Sequence, residues 1–282
     1  MRLDVPSLEN LVNEAPLAFV DVETTGLSPA WDRVCEVAIL RCEGDEVIDA
    51  LQRLVNPQRP MGQGALRVHG ISDDMLRDAP LFSQVARHVM ELFEGAVLVG
   101  HNIPFDLGFL DEELRRLGLA MPTVIALDTL RLARACYRLP SYSLGRVAAA
   151  LEVDLSAQEH RAMGDVLTTR SVFQRLNRDL ASRGALSVGA YVDIQGGTLG
   201  YERTPSYDVP PAIREALCGN RLLHLRYRAE DGTETERVVR PLGVSVFSGR
   251  ALLVAHCYLR DATRYFRLDR ILGADVIVEF EP

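Results

Sequence analysis

At 282 residues the chain exceeds the roughly 100–150 residues of a common single domain, so one large domain with a smaller companion is expected. Its 48% apolar content is enough for a sizeable core, and no apolar run approaches the roughly 20 residues that span a membrane. All 31 basic residues are arginine and face 39 acids, a net charge of −8, so the chain repels nucleic acid at long range and could bind it only through a local basic surface or bound cations.

Three strand-like runs come first, at residues 17–22, 34–41 and 46–55, divided by the turn-rich TTGLSPAWD and EGD; they predict an antiparallel meander. Helical periodicity follows in SDDMLRDAP and in LFSQVARHVMELFEG, where Val85, Val89, Leu92 and Phe93 share a face and Gly95 ends the run. AVLVG, residues 96–100, reads as a short buried strand. NIPFDLGFLDEELRRLG reads as a helix with Pro104 near its first turn, acids early, arginines late and Gly118 as its stop. A short strand in TVIAL leads to a helix in DTLRLARACYRL, and SLGRVAAALEV and DVLTTRSVFQRLNRDLASR add two more. This interleaving predicts an α/β domain with a mixed sheet.

From Gly184 to Pro210 the pattern dissolves into Gly, Ser, Thr and Pro, and a linker is expected, although AYVDI could be a strand of either neighbour. One short helix, AIREALCG, is followed by the alternating runs LLHLRYR, ETERVVRPL, GVSVF, RALLVAHC, TRYFRLDRI and ADVIVEF, which predict a small, highly curved β-module. The expected division is therefore 1–183, a linker at 184–210, and 211–282. Residues 206–282 carry 11 arginines and 11 acids, so the whole net charge of −8 falls on the first 205 residues. The N-terminus MRLDVPSLEN shows no export signal, and the five cysteines are scattered without a CxxC pair; a cytoplasmic protein with free thiols is expected.

The chemistry begins at FVDVETTGL. Side chains alternate across a strand, so Asp21 and Glu23 project from one face and Val20 and Val22 from the other. Asp106 falls in the first turn of a helix that begins just after AVLVG, within GHNIPFDLGF, and Asp165 opens a helix five residues after His160 in EHRAMGDVLTTR. Singly, each acid is explained by a solvated strand edge or by the helix dipole. As a set of four carboxylates without cysteine they make a hard oxygen site suited to Mg²⁺ or Mn²⁺. Two such ions can clamp the attacking and leaving oxygens of a phosphodiester, and a histidine can take the proton of the attacking water.

DVETTGL, HNIPFDLGFL and HRAMGD match, in order and spacing, the three motifs of the DEDDh family of 3′–5′ exonucleases, which includes polymerase proofreading subunits. The chain resembles this family over about residues 17–180. The resemblance implies a ribonuclease H-like fold with a mixed five-stranded sheet flanked by helices. It implies Asp21, Glu23, Asp106 and Asp165 as ligands of two divalent cations, Mg²⁺ or Mn²⁺, and His160 as general base. It further implies that Thr24 and Thr25 contact the terminal nucleotide, that Leu27 wedges against its base, and that His101, Asn102 and Phe105 line the same cleft; core packing is the alternative for Leu27 and Phe105. RVHGIS, with His69, also resembles family members and is expected only to shape the cleft.

The C-terminal run from Tyr227 to Ile271 resembles a WYL domain, a small β-barrel (SH3/Sm-like) named for a Trp-Tyr-Leu tripeptide, through Tyr227, Arg240-Pro-Leu242 and Phe266 to Arg270. Here the tripeptide is Ala251-Leu252-Leu253, so only its leucine remains. WYL domains are associated with sensing nucleic acid or nucleotide-like ligands. The resemblance therefore points to Tyr227, Arg240, Arg264, Arg267 and Arg270 as contacts, with Tyr265 and Phe266 as stacking partners; the alternative is barrel packing with the arginines balanced by acids.

The expected function is two-metal 3′–5′ exonucleolysis at single-stranded DNA or RNA 3′ ends, DNA favoured, releasing nucleoside 5′-monophosphates. The WYL module would aid binding or regulation. Alternatives are a non-catalytic nucleic-acid-binding regulator and an RNA-specific end-trimming enzyme; nothing in the sequence points to a polymerase-docking peptide.

Overall fold

The structure is a computed structural model that describes residues 6–153, 161–199, 209–219, 221–247 and 250–277. The chain divides into two compact units, each discontinuous in sequence: Met1–Glu23, Val34–Val55 and Ala79–Glu202 form the first, and Thr24–Arg33, Asn56–Asp78 and Arg203–Pro282 the second.

The first unit is built on a five-stranded sheet in the order β3-β2-β1-β4-β5, with β1 at Pro16–Thr24, β2 at Val34–Glu43, β3 at Glu46–Leu54, β4 at Val97–Gly100 and β5 at Ile125–Asp128. β2 and β3 pair antiparallel, whereas β1 with β4 and β4 with β5 pair parallel, so the sheet is mixed as expected. Residue alternation along β1 divides two cores. Leu17 and Phe19 enter one, with residues of α5 (Thr129–Cys136), α6 (Leu144–Ala150), α7 (Ala162–Ala181) and α8 (Val188–Ile194). Ala18, Val20 and Val22 enter the other, with α3 (Phe82–Phe93) and α4 (Pro104–Arg116). Each fully buried Leu, Val or Phe contributes about 1.5–3 kcal/mol, enough to hold the helices on both faces of the sheet.

AYVDI is a helix and not a strand: it lies in α8, whose Val188, Tyr191 and Val192 are buried in the first core, with the Tyr191 ring 6.1 Å from that of Phe173. The composition of 184–210 read as linker because Gly, Ser, Thr and Pro are frequent in it, yet Val188, Tyr191 and Val192 fall at helical spacing.

The second unit contains α1 (Gln63–His69), α2 (Asp73–Leu76), α9 (Pro211–Cys218) and a five-stranded antiparallel sheet in the order β10-β6-β7-β8-β9. Its strands are β6 (Leu222–Arg228), β7 (Glu234–Phe247), β8 (Arg250–Cys257), β9 (Ala262–Arg267) and β10 (Ile271–Ile277). ETERVVRPL and GVSVF, read as two strands, are one: Pro241 cannot donate to the ladder, and the register with β8 shifts between Pro241 and Gly243 without ending the strand. TRYFRLDRI is interrupted, with a 3₁₀ turn at Leu268–Arg270 leading into β10. Among the described residues the expected barrel is an open sheet with β9 and β10 at its edges. Its core joins Ile213, Ala216 and Leu217 of α9 to Leu223, Leu225, Val239 and Phe266.

Candidate metal centre and active site

On β1, Asp21 and Glu23 continue the face that Leu17 and Phe19 begin, and α7 packs on that face. Phe173 of α7 meets Phe19 edge-on, with ring centroids 5.8 Å apart, which fixes how the helix crosses the strand. Asp165 lies in the first turn of α7. The three carboxylates of Asp21, Glu23 and Asp165 consequently offer oxygens that all lie within 4.8 Å of one another.

Asp106 arrives from the other side of β1. It sits in the first turn of α4, directly after β4, and β4 runs parallel to β1 with Phe19 opposite Val99. At 4% exposure its Oδ1 accepts the backbone N–H of Val22 at 3.0 Å. The structure thus ties Asp106 to the strand that carries Asp21 and Glu23, without making it part of the three-residue oxygen cluster.

Crowding shows in the ionisation of these groups. Burial, then the charges of Asp106, Glu23, Asp165 and Glu36, holds Asp21 well above the usual carboxylate range. Burial and the neighbouring acids Asp165, Glu36 and Asp106 push Glu23 up to about 8, with Arg161 opposing them. Burial raises Asp106 to about 8 against the Val22 hydrogen bond, with Asp128 and Asp165 adding to the rise. An all-oxygen donor set in which the anionic forms disfavour one another is the chemistry a hard divalent cation fits. His160 lies outside the described residues.

Glu36 and Arg161, which the sequence reading passed over, form an ion pair whose charges reach Glu23 of the acidic cluster. Glu36 is 1% exposed on β2 and accepts a two-pronged hydrogen bond from Arg161 at 2.8 and 2.9 Å, the Ala162 N–H at 3.2 Å and the Gln52 amide at 3.2 Å. Burial pushes the Glu36 carboxyl up, but the hydrogen bonds of Arg161, Ala162 and Gln52 outweigh it and hold it below its ordinary value. The pair anchors the start of α7 to the sheet, and with it Asp165. A charge in the middle of the apolar VCEVAIL was the available signal. Glu36→Gln is expected to weaken Mn²⁺ binding about 10–100-fold, measured as the metal-dependent rise in melting temperature; unchanged affinity would remove the pair from the site.

His101, Asn102 and Phe105 are held by the protein itself. The His101 Nε2 lies 2.8 Å from the Tyr142 carbonyl and must donate to it, while Nδ1 faces the Thr129 hydroxyl at 2.9 Å. Burial holds the His101 pKa below its ordinary value, against the Tyr142 hydrogen bond and the charge of Asp128. Asn102 takes a left-handed backbone, φ +66°, and its N–H donates to Asp128 at 2.8 Å. Phe105 packs on Phe109 with centroids 4.9 Å apart, against the second core.

In the second unit, Thr24 and Thr25 spend their hydroxyls inside their own loop. Thr24 donates to the Gly26 carbonyl at 2.6 Å, and Thr25 accepts the Arg33 N–H at 3.1 Å. Only glycine fits at position 26, because a methyl there would lie 2.5 Å from the Asp32 carboxyl. His69 also holds this loop: its Nδ1 accepts the Ile71 N–H at 3.0 Å, leaving Nε2 to donate to the Thr24 carbonyl at 3.2 Å. What the loop presents outward is Leu27, 47% exposed.

The C-terminal contacts are only partly gathered. The Tyr227 ring meets Phe266 edge-on at 5.2 Å and packs on the module's core. Arg267 is paired with Asp269 at 2.9 and 2.5 Å, and Arg270 with Glu230 at 3.3 Å, so acids balance both. Arg240 donates to the Tyr258 hydroxyl at 3.2 Å, while Arg264 is exposed, as is Tyr265 at 64%.

A mixed sheet flanked by helices, carrying this acidic cluster, defines a nuclease domain of the metal-dependent exonuclease class. Residues 18–173 match the RNase_T family, described as Exonuclease, and residues 208–276 match the WYL domain; the chain belongs to the exonuclease family and carries a C-terminal WYL domain. It is 35% identical to a DNA polymerase III PolC-type of Caldanaerobacter subterraneus subsp. tengcongensis over 176 residues, 62% of this chain and 12% of that protein. It is 33% identical to the DNA polymerase III PolC-type of Bacillus subtilis over 201 residues, 70% and 14% of the two chains. The chain thus spans about an eighth of the length of these curated relatives. A solved structure of exonuclease I, 22% identical, shares the fold with a TM-score of 0.56 over 86% of this chain and 55% of that one. Among the described residues no helix is long and apolar enough to cross a membrane.

Proposed function

We propose that the chain hydrolyses the terminal phosphodiester at the 3′ end of single-stranded nucleic acid, DNA in preference to RNA, and releases nucleoside 5′-monophosphates. The observation that carries this reading is the meeting of Asp21, Glu23 and Asp165 within 4.8 Å in a member of the exonuclease family. Asp106 completes the set, and the four would hold two divalent cations, Mg²⁺ or Mn²⁺. Bound there, the cations supply the positive charge that an acidic protein otherwise lacks and make water a stronger nucleophile at neutral pH.

The chain's own residues do the remaining work. His160 takes a proton from the attacking water as its oxygen bonds to phosphorus; the bond from phosphorus to the 3′ oxygen breaks, its electron pair stays on that oxygen, and a proton taken up from solvent leaves a 3′-hydroxyl on the shortened strand. Arg161 and Glu36 steady the start of α7 beside this histidine in sequence. Leu27 packs against the last base, its exposed side chain held out by a loop whose polar groups are internally satisfied. The names of the relatives, DNA polymerases, favour DNA. In this reading the WYL domain retains substrate or regulates access, and the free thiols of Cys35, Cys42, Cys136 and Cys257 suit a reducing cytoplasm.

The test uses single strands labelled at the 5′ end, as DNA and RNA in parallel, with Mg²⁺ or Mn²⁺. A ladder shortening from the 3′ end, faster for DNA, is expected. Leu27→Ala should slow trimming about 10-fold while metal affinity persists, since burying a leucine side chain against the base is worth about 1.5–3 kcal/mol. Binding without turnover in either metal would instead favour a non-catalytic regulator.

A further inference from the structure

The second unit holds both the Thr24–Arg33 loop, which the proposed function makes the seat of the last nucleotide, and the C-terminal module. Three contacts inside this unit join them. Arg59 makes the first. Its Nη1 lies 3.1 Å from Asp32 and also donates to the Trp31 carbonyl, while Nη2 donates at 3.1 Å to the carbonyl of Leu217 on α9. Asp32, 2% exposed, in turn accepts the Ser28 N–H at 2.9 Å and faces the Thr25 hydroxyl at 3.4 Å. One guanidinium therefore ties the acid that organises the loop to a helix of the module.

Trp31, the single tryptophan of the chain, makes the second contact. It packs against the module's hydrophobic core, with the Arg214 guanidinium 5.0 Å from its ring centroid. The third is backbone against backbone. At Gly243, where β7 shifts register, an added methyl would lie 3.2 Å from the Leu27 nitrogen and 3.3 Å from its Cβ. Gly243 thus lets β7 lie close to Leu27, whose side chain stays about half exposed.

We propose that the C-terminal module braces the Thr24–Leu27 loop in the shape that receives the terminal nucleotide, so that Trp31, Arg59 and Gly243 act as positioning residues that set affinity for the strand end. This rests on the proposed function for the identity of the loop. The carboxylates belong to the other unit, and the brace as proposed acts on affinity for the strand end.

The full-length chain is compared with Gly243→Ala, which asks a shift of only a few tenths of an ångström, with Gly243→Val, and with Arg59→Ala. Three quantities are read: KM and kcat on an end-labelled decamer with Mn²⁺, the affinity for deoxythymidine 5′-monophosphate, and the emission of Trp31. The expected result is a graded rise in KM and a matching loss of mononucleotide affinity, about 3-fold for Gly243→Ala and 10-fold or more for the other two, with red-shifted emission and kcat within 2-fold. Unchanged KM and mononucleotide affinity in all three variants would overturn the brace, whatever the emission does. So would a fall in kcat in step with KM, which would locate the damage at the carboxylates. A wild-type chain that trims nothing refutes the proposed function instead, and mononucleotide affinity then still decides the brace.

Discussion

Asp21→Asn is expected to abolish trimming and stabilise the protein at once. Activity should fall by about 10³-fold or more, because one of the anionic oxygens that hold the catalytic charge is replaced by a neutral amide. In chelator at pH 8 the same variant should melt higher than wild type. Burial and four neighbouring acids, Asp106, Glu23, Asp165 and Glu36, make the ionised Asp21 unfavourable, and asparagine keeps its shape without the charge. The rise should be about 2–4 °C for each kcal/mol of repulsion relieved. Calorimetry in chelator and an end-labelled strand assay check the two halves. A variant that is inactive because it is less stable would contradict the site.

The second large effect is a metal-dependent change in how stability varies with pH. In an unfolded chain carboxylates ionise near 4, whereas Glu23 and Asp106 are pushed to about 8 in the folded protein. Between those values the native state binds more protons than the unfolded one, so stability falls as pH rises through that window and levels off above it. Asp32 and Asp128, raised by burial, add to the fall but should not respond to metal. His101, depressed by burial, works the opposite way near its unfolded value, and Glu36, held low, acts only at more acidic pH. The chelated protein should therefore lose melting temperature from pH 5 to 8, and excess Mn²⁺ should remove most of the slope while releasing protons at pH 7. Identical slopes with and without Mn²⁺ would show that these carboxylates hold no cation.

Much of the first unit was legible because its elements are local. The alternation of Leu17 to Glu23 already placed two carboxylates on one face, and apolar spacing located α3, α4 and α7. Segments whose character depends on a partner were harder. AYVDI has too little apolar length to declare its period until it packs on Phe173, and α1 is so short that only its place beneath the Thr24–Arg33 loop reveals its use. The partners of His101 were not legible in its motif, because Thr129 and Tyr142, which engage both its ring nitrogens, are distant in sequence.

By itself the sequence supplied the chemical type of the candidate ligands: acids without cysteine, placed at a strand end and at helix starts, are oxygen donors that suit a hard cation once the fold brings them together. Only the tertiary structure decided which groups meet and at what energy. It brought Asp165 to Asp21 and Glu23, turned Asp106 onto the Val22 amide, and paired Glu36 with Arg161 across 125 residues. It also set the C-terminal module against Leu27. The reason is physical: ligand type is a property of single side chains, whereas burial, mutual repulsion and hydrogen-bond partnership exist only between groups that folding brings together.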